Sequence, residues 1–112
     1  MPTEKTYTAK HRYAQISARK VRPFADLIRG KFISDAAEIL SLYPNRGARL
    51  LEKVLASAKA NAAEQQPGRV DMLEVVDVRI DEGPMAKRWR PKARGSSMVY
   101  MKRSSHISVE IG

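Results

Sequence analysis

Residues 74–111 read EVVDVRIDEGPMAKRWRPKARGSSMVYMKRSSHISVEI, and the changes of pattern within them decide the fold. From Glu74 to Asp81 apolar and polar side chains alternate, with Val76, Val78 and Ile80 on one face and Asp77, Arg79 and Asp81 on the other. That is the period of a strand wet on one side. The device returns at the end, where Ile107, Val109 and Ile111 oppose His106, Ser108 and Glu110. Between the two strands lies Gly83–Gly95, with five cations, no acid, and a Gly or Pro near each end. A simple hairpin turn takes about two to five residues. Antiparallel pairing of the two strands therefore makes residues 81–103 a protruding hairpin arm, with Asp81-Glu82 as its polar opening. About eleven residues a side, at roughly 3.3 Å each, reach on the order of 35 Å. Such an arm exposes strand edges and cannot bury its own charge. A folded nucleic acid meets both needs, because Lys and Arg neutralise its phosphates and guanidinium groups fork onto phosphate oxygens.

Working outward, Tyr7, Ala9, His11 and Tyr13 alternate with Thr8, Lys10, Arg12 and Ala14, which predicts a half-exposed strand with one cationic face. Ser17 is placed to cap a helix that carries Val21, Phe24, Leu27 and Ile28 at helical spacing, with Gly30 just past its end. Pro23 cannot donate to the Arg19 carbonyl and disfavours helical geometry at Arg22, which predicts a kink or a late start. Ser34 is placed to cap a second helix with the stripe Ala36, Ala37, Ile39, Leu40 and Tyr43, ended by Pro44. Leu51, Val54, Leu55, Ala58 and Ala62 mark the third and longest helix, closed by Gln66-Pro67-Gly68. Its small residues, Ala56, Ser57, Ala58, Ala60, Ala62 and Ala63, allow close approach to a sheet or another helix.

The 112 residues fit one domain, 1–112, and 43% apolar content suffices for a small core. A chain of this size buries roughly 60–65% of its unfolded surface. No repeat or linker divides it. The longest run without a charged residue is seven, far short of the roughly 20 apolar residues of a membrane span. Met1-Pro2-Thr3-Glu4 lacks an apolar signal core, so a cytoplasmic protein with no membrane partner is expected. With no cysteine there is no disulfide, thiolate nucleophile or Cys-based zinc site. The formal charge of +9 divides into +5 for residues 1–25, −2 for 26–82 and +6 for 83–112. A near-neutral middle between two basic segments again calls for a polyanion.

Three clusters carry the expected contacts. On the arm these are Lys87, Arg88, Arg90, Lys92 and Arg94, with Trp89 between two arginines. A lone Trp ordinarily packs in a core, but no apolar periodicity surrounds this one, which favours stacking on an unpaired base or packing against sugar edges. Met85, Met98 and Met101 are adaptable packing for the arm or ordinary filler. The second cluster is Arg19-Lys20-Val21-Arg22, near a helix start whose amides favour phosphate; its alternative is a solvated helix face. The third is Lys102-Arg103-Ser104-Ser105-His106, where cations and hydroxyls follow one another along a strand. Arg12 joins them from the cationic face of the first strand. Neither His11 nor His106 has an acid or a second His at metal or triad spacing, and no glycine-rich phosphate loop is present. No catalytic residue, metal or cofactor is expected, and the chain reads as non-enzymatic.

Ile16-Ser17-Ala18-Arg19-Lys20-Val21-Arg22, Asp26-Leu27-Ile28-Arg29-Gly30-Lys31, Asp81-Glu82-Gly83-Pro84, Lys87-Arg88, Pro91-Lys92-Ala93-Arg94-Gly95 and Lys102-Arg103-Ser104-Ser105-His106-Ile107 together resemble, in order and over nearly the whole chain, ribosomal protein twenty-two of the large subunit in its bacterial form. The resemblance implies an α+β fold, three helices packed on a three-stranded antiparallel sheet with a long protruding β-hairpin. It implies a structural constituent of the large ribosomal subunit that binds ribosomal RNA, aids assembly, and lines the nascent-peptide exit tunnel with its hairpin. Neighbouring ribosomal proteins and the nascent peptide would be its other partners. The arm cations would then contact RNA, joined nearer the globular part by Arg19, Lys20, Arg22, Lys102 and Arg103. The sequence departs from the family's usual pattern at Ala18, Pro23, Trp89 and the weakly charged Ser96–Tyr100. A reading from a different class is a free-standing DNA-bending protein with basic β-arms.

Overall fold

The computed structural model describes residues 6–112, so the Met1–Glu4 stretch lies outside it. Along the chain come β1 (Tyr7–Ala14), α1 (Ala18–Ile28), α2 (Ile33–Ser41), α3 (Arg46–Gln65), a 3-10 turn (Pro67–Met72), β2 (Val75–Glu82), β3 (Ala86–Pro91), β4 (Ser97–Lys102) and β5 (Ser105–Ile111). The fold is α+β. β5 is the central strand of a three-stranded antiparallel sheet of order β1-β5-β2, while β3 and β4 pair only with each other.

On β5, Ile107, Val109 and Ile111 are buried as their alternation predicts. Both outer strands depart from simple alternation through a bulge. In β1 the register passes from His11 opposite Ile107 to Ala14 opposite Ser105, one residue too many, and Tyr13 takes φ 59°. Ala14 therefore turns into the core at 1% exposure and Tyr13 turns out, the reverse of the faces expected for them. In β2 the bulge lies between Val75 and Asp77. The inward set is thus Val75, Val78 and Ile80, with Val76 exposed rather than buried. Asp81 and Glu82 do not open a turn; they continue β2, opposite His106 and Ser105.

α1 starts at Ala18 with Ser17 at its N-cap and ends before Gly30 in the left-handed region, as expected. Of the kink or late start foreseen at Pro23, the late start does not occur, and the helix is unbroken from Ala18 to Ile28. Pro23 removes a single N–H···O bond, to Arg19 near the helix start, and burial of Val21, Phe24, Ala25 and Ile28 outweighs that loss. The N-cap position of α2 is Phe32, not Ser34, and no side chain caps it. Its start is set from outside: Ile33 N–H donates to the Leu73 carbonyl at 3.2 Å, and Phe32 bridges Glu74. α3 buries the stripe read from the sequence, extended backward by Gly47 and Ala48. It packs on β1 and β5, while α1 covers β2. Of the small residues on α3, Ala58 and Ala62 are buried and Ala63 partly so, whereas Ala56, Ser57 and Ala60 face solvent. Gly47 is required by close approach, since a Cβ there would lie 2.9 Å from the Lys20 carbonyl oxygen. Each fully buried leucine, Leu40, Leu51 and Leu55, contributes about 1.5–3 kcal/mol of apolar burial.

Beyond this body the β3-β4 ribbon projects as the arm. The radius of gyration is 17.2 Å and the long axis 64 Å, against about 13 Å expected for the radius of a compact chain of this length. No residue of Gly83–Ser104 belongs to the buried core.

Candidate nucleic-acid interface

Cross-strand register assigns the arm two faces. Arg88 lies opposite Tyr100, Arg90 opposite Met98 and Ala86 opposite Lys102. These residues share one side because strand side chains alternate. Arg90 reaches diagonally so that its guanidinium sits 4.6 Å from the Tyr100 ring centroid. The other side carries Lys87 with Met101, Trp89 with Val99, and Pro91 with Ser97. Trp89 is 69% exposed, so core packing does not account for it.

The tip is a tight turn in which Lys92 N–H donates to the Ser96 carbonyl at 2.6 Å. Arg94 (φ 63°) and Gly95 (φ 74°) occupy the left-handed region in succession. The left-handed conformation costs a non-glycine residue such as Arg94 roughly 1–2 kcal/mol. The turn displays Lys92 and Arg94, both exposed, at the extremity of the arm.

Where the arm joins the body, β2 and β5 pass into β3 and β4 through a short break. Gly83 N–H donates to the Ser104 carbonyl (2.9 Å), and Ser104 Oγ donates to the Pro84 carbonyl (2.7 Å). Ser105 is fully buried. The run from Lys102 to His106 is therefore not a continuous strand of phosphate ligands, because the joint engages the Ser104 hydroxyl and the sheet buries that of Ser105. Beside the joint opens a cleft of about 880 Å³ lined by Gln15, Ile16, Ser17, Arg19, Lys20, Arg46, Met101 and Arg103. Arg46 escaped the sequence reading. It is a single Arg at the start of α3, with no local signal, and only the seating of Gly47 on α1 brings it beside Lys20.

Arg22 is separated from Arg19 and Lys20. One of its terminal nitrogens donates to the Ile80 carbonyl at 3.2 Å, and Arg29 donates to the Val78 carbonyl at 2.7 Å. Arg22 on α1 and Arg29 just past its end thus cover successive outward carbonyls of the edge strand β2, which blunts that edge. Arg12 lies on the open side of the sheet, in a shallow groove of about 260 Å³ shared with Lys10, Tyr13, Asp81, His106, Ile107 and Ser108. His106 accepts at Nδ1 from Tyr13 N–H (3.0 Å), and the two rings meet edge to face at 4.8 Å. This histidine holds the β1 bulge in place. Among the described residues no group of three or more His, Cys, Asp or Glu could hold a metal, and no helix is long and apolar enough to cross a membrane.

The family model described as ribosomal protein L22p/L17e matches residues 9–112. The chain belongs to this family. Similar curated proteins agree: the large ribosomal subunit protein uL22 of Rhodopirellula baltica is 50% identical over 108 residues, covering 92% of this chain and 91% of the relative. That of Caldicellulosiruptor saccharolyticus is 49% identical over 105 residues, covering 94% and 86%. Among the features described, the L22p/L17e match takes in the whole arm, the cleft and the Arg22–Arg29 edge cover.

Proposed function

We propose that this chain is a structural, non-enzymatic component of the cytoplasmic large ribosomal subunit that binds ribosomal RNA, aids its assembly, and lines the nascent-peptide exit tunnel with its arm. Beyond family membership, the observation that supports the reading is an arm with no residue in the core. Its cations Lys87, Arg88, Arg90, Lys92, Arg94, Lys102 and Arg103 form no ion pair with any described residue. Such a segment gains its ordering free energy from a polyanion that encloses it. Chain 1–112 acts as one unit in which the body anchors and the arm penetrates. Arg19, Lys20, Lys102, Arg103, Arg12 and His106 contact RNA near the body, and Lys87, Arg88, Trp89, Arg90, Lys92 and Arg94 contact it along the arm, with Trp89 stacking on an unpaired base. Arg22 divides its donors between the β2 edge and RNA. Neighbouring ribosomal proteins and the nascent peptide complete its surroundings. Family membership favours this over a DNA-bending role.

Stoichiometric co-sedimentation with large subunits at moderate salt, and quenching of Trp89 fluorescence on binding large-subunit RNA, are the expected results. A chain that remains unbound while bending duplex DNA as a dimer would refute the reading.

A further inference from the structure

We infer that the cleft between the arm's base and the N-terminal ends of α1 and α3 binds the sugar-phosphate backbone of an RNA strand, and that a strand held there fixes the arm's orientation on the body. The inference rests on the RNA-binding reading above and names the place that couples arm to body. The cleft is open to solvent and measures about 880 Å³. It is lined by four cations, Arg19, Lys20, Arg46 and Arg103, and by no acid. None of the four forms an ion pair with a described residue. They come from three segments of the chain, Arg19-Lys20, Arg46 and Arg103, so the charge concentration is created by folding, and the mutual repulsion it entails is relieved by an anion with several charges. Gln15 and Ser17 add neutral donors; Ser17 caps α1 only by position, its hydroxyl making no cap bond. Met101 offers an apolar surface for a sugar edge. Guanidinium forks beside neutral donors suit successive phosphates better than an isolated small anion.

The two walls belong to different bodies. Arg19, Lys20 and Arg46 stand on the helices, and Met101 and Arg103 on the arm. Across the break the polar connections are the Gly83–Ser104 and Ser104–Pro84 hydrogen bonds. A strand neutralising both walls adds a third connection.

The test uses the full chain and oligouridylate as the probe. Arg46→Gln, on the body wall, and Arg103→Gln, on the arm wall, are compared with Lys59→Gln, an exposed cation more than three turns along α3 and outside the cleft. Each cleft variant should weaken binding several-fold and lower the slope of log affinity against log salt by about 0.7, the value for one phosphate contact on a single strand. Lys59→Gln should change neither. Amide exchange in β3 and β4 should slow on RNA saturation of the native chain, and in Arg46→Gln, likewise saturated with RNA, that slowing should be smaller although every arm cation is intact. Cleft variants indistinguishable from Lys59→Gln, or arm protection undiminished in RNA-saturated Arg46→Gln, would overturn the inference while leaving RNA binding elsewhere on the chain standing. Sensitivity of oligoglutamate binding alone to these variants would make the cleft a protein-docking site and overturn the RNA assignment. A native chain that binds no RNA would overturn both readings.

Discussion

Replacing Gly83–Ser104 by the dipeptide Asn-Gly would join Glu82 directly to Ser105, which face each other across the sheet. Asn-Gly is the two-residue turn that paired strands accept. The shortened chain should keep its body, because none of the removed residues lies in the buried core. No cavity forms. The losses are the two hydrogen bonds at the joint, 2.9 and 2.7 Å long, each worth about 1 kcal/mol net and offset by the new turn. Removing seven cations and no acid takes the formal charge from +9 to +2, which relieves self-repulsion. Stability measured by urea and thermal unfolding should therefore stay within about 1 kcal/mol, a melting shift below about 8 °C for a body of this size. RNA binding should collapse instead. If all seven cations meet phosphates, the salt slope on single-stranded RNA falls by about 5. A stability loss above about 3 kcal/mol, well beyond what two exposed hydrogen bonds supply, would refute the separation of arm and body. An unchanged salt slope would refute the phosphate role of the arm.

Four other substitutions probe the packing. Gly47→Ala gains about 1 kcal/mol of helix preference but sets a methyl 2.9 Å from the Lys20 carbonyl oxygen, an overpacking that costs about 1–3 kcal/mol; thermal unfolding should show a net loss, and a raised melting temperature would contradict the tight seating. Arg29→Ala removes the 2.7 Å bond to the Val78 carbonyl and the 2.8 Å pair with Asp26, for an expected loss of about 1–2 kcal/mol. Adding Arg22→Ala uncovers the β2 edge, and sedimentation velocity should then detect concentration-dependent association. Ser105→Ala deletes a buried hydroxyl with no hydrogen-bond partner among the described residues, so stability should hold or rise by up to about 1 kcal/mol, and a marked loss would reveal a hidden partner.

The elements most readable in the sequence are those whose side-chain direction is set locally. Ile107, Val109 and Ile111 on β5, and Leu51 to Ala62 on α3, obey fixed periods over their whole length. The bulges at Tyr13 and Val76 were illegible, because one inserted residue leaves composition unchanged while reversing the faces of its neighbours. The start of α2 was missed for a related reason. Ser34 has good capping chemistry, but contacts of Phe32 and Ile33 with Leu73 and Glu74, remote in sequence, set the start earlier.

The residue pattern alone was enough to read a basic hairpin arm and to expect a polyanion for it, because a run of cations without acids or core positions has no way to satisfy itself within the chain. Only the tertiary structure decided which cations act together. Lys20 and Arg22 are near neighbours in sequence, yet at 3.6 residues per turn they point about 200° apart on α1. Lys20 therefore lines the cleft and Arg22 grips the β2 edge. Arg46 enters from a distant segment because Gly47, lacking a Cβ, lets α3 settle against the Lys20 carbonyl. Charge is a property of composition, but a binding site is a property of direction and distance, and those are set by packing.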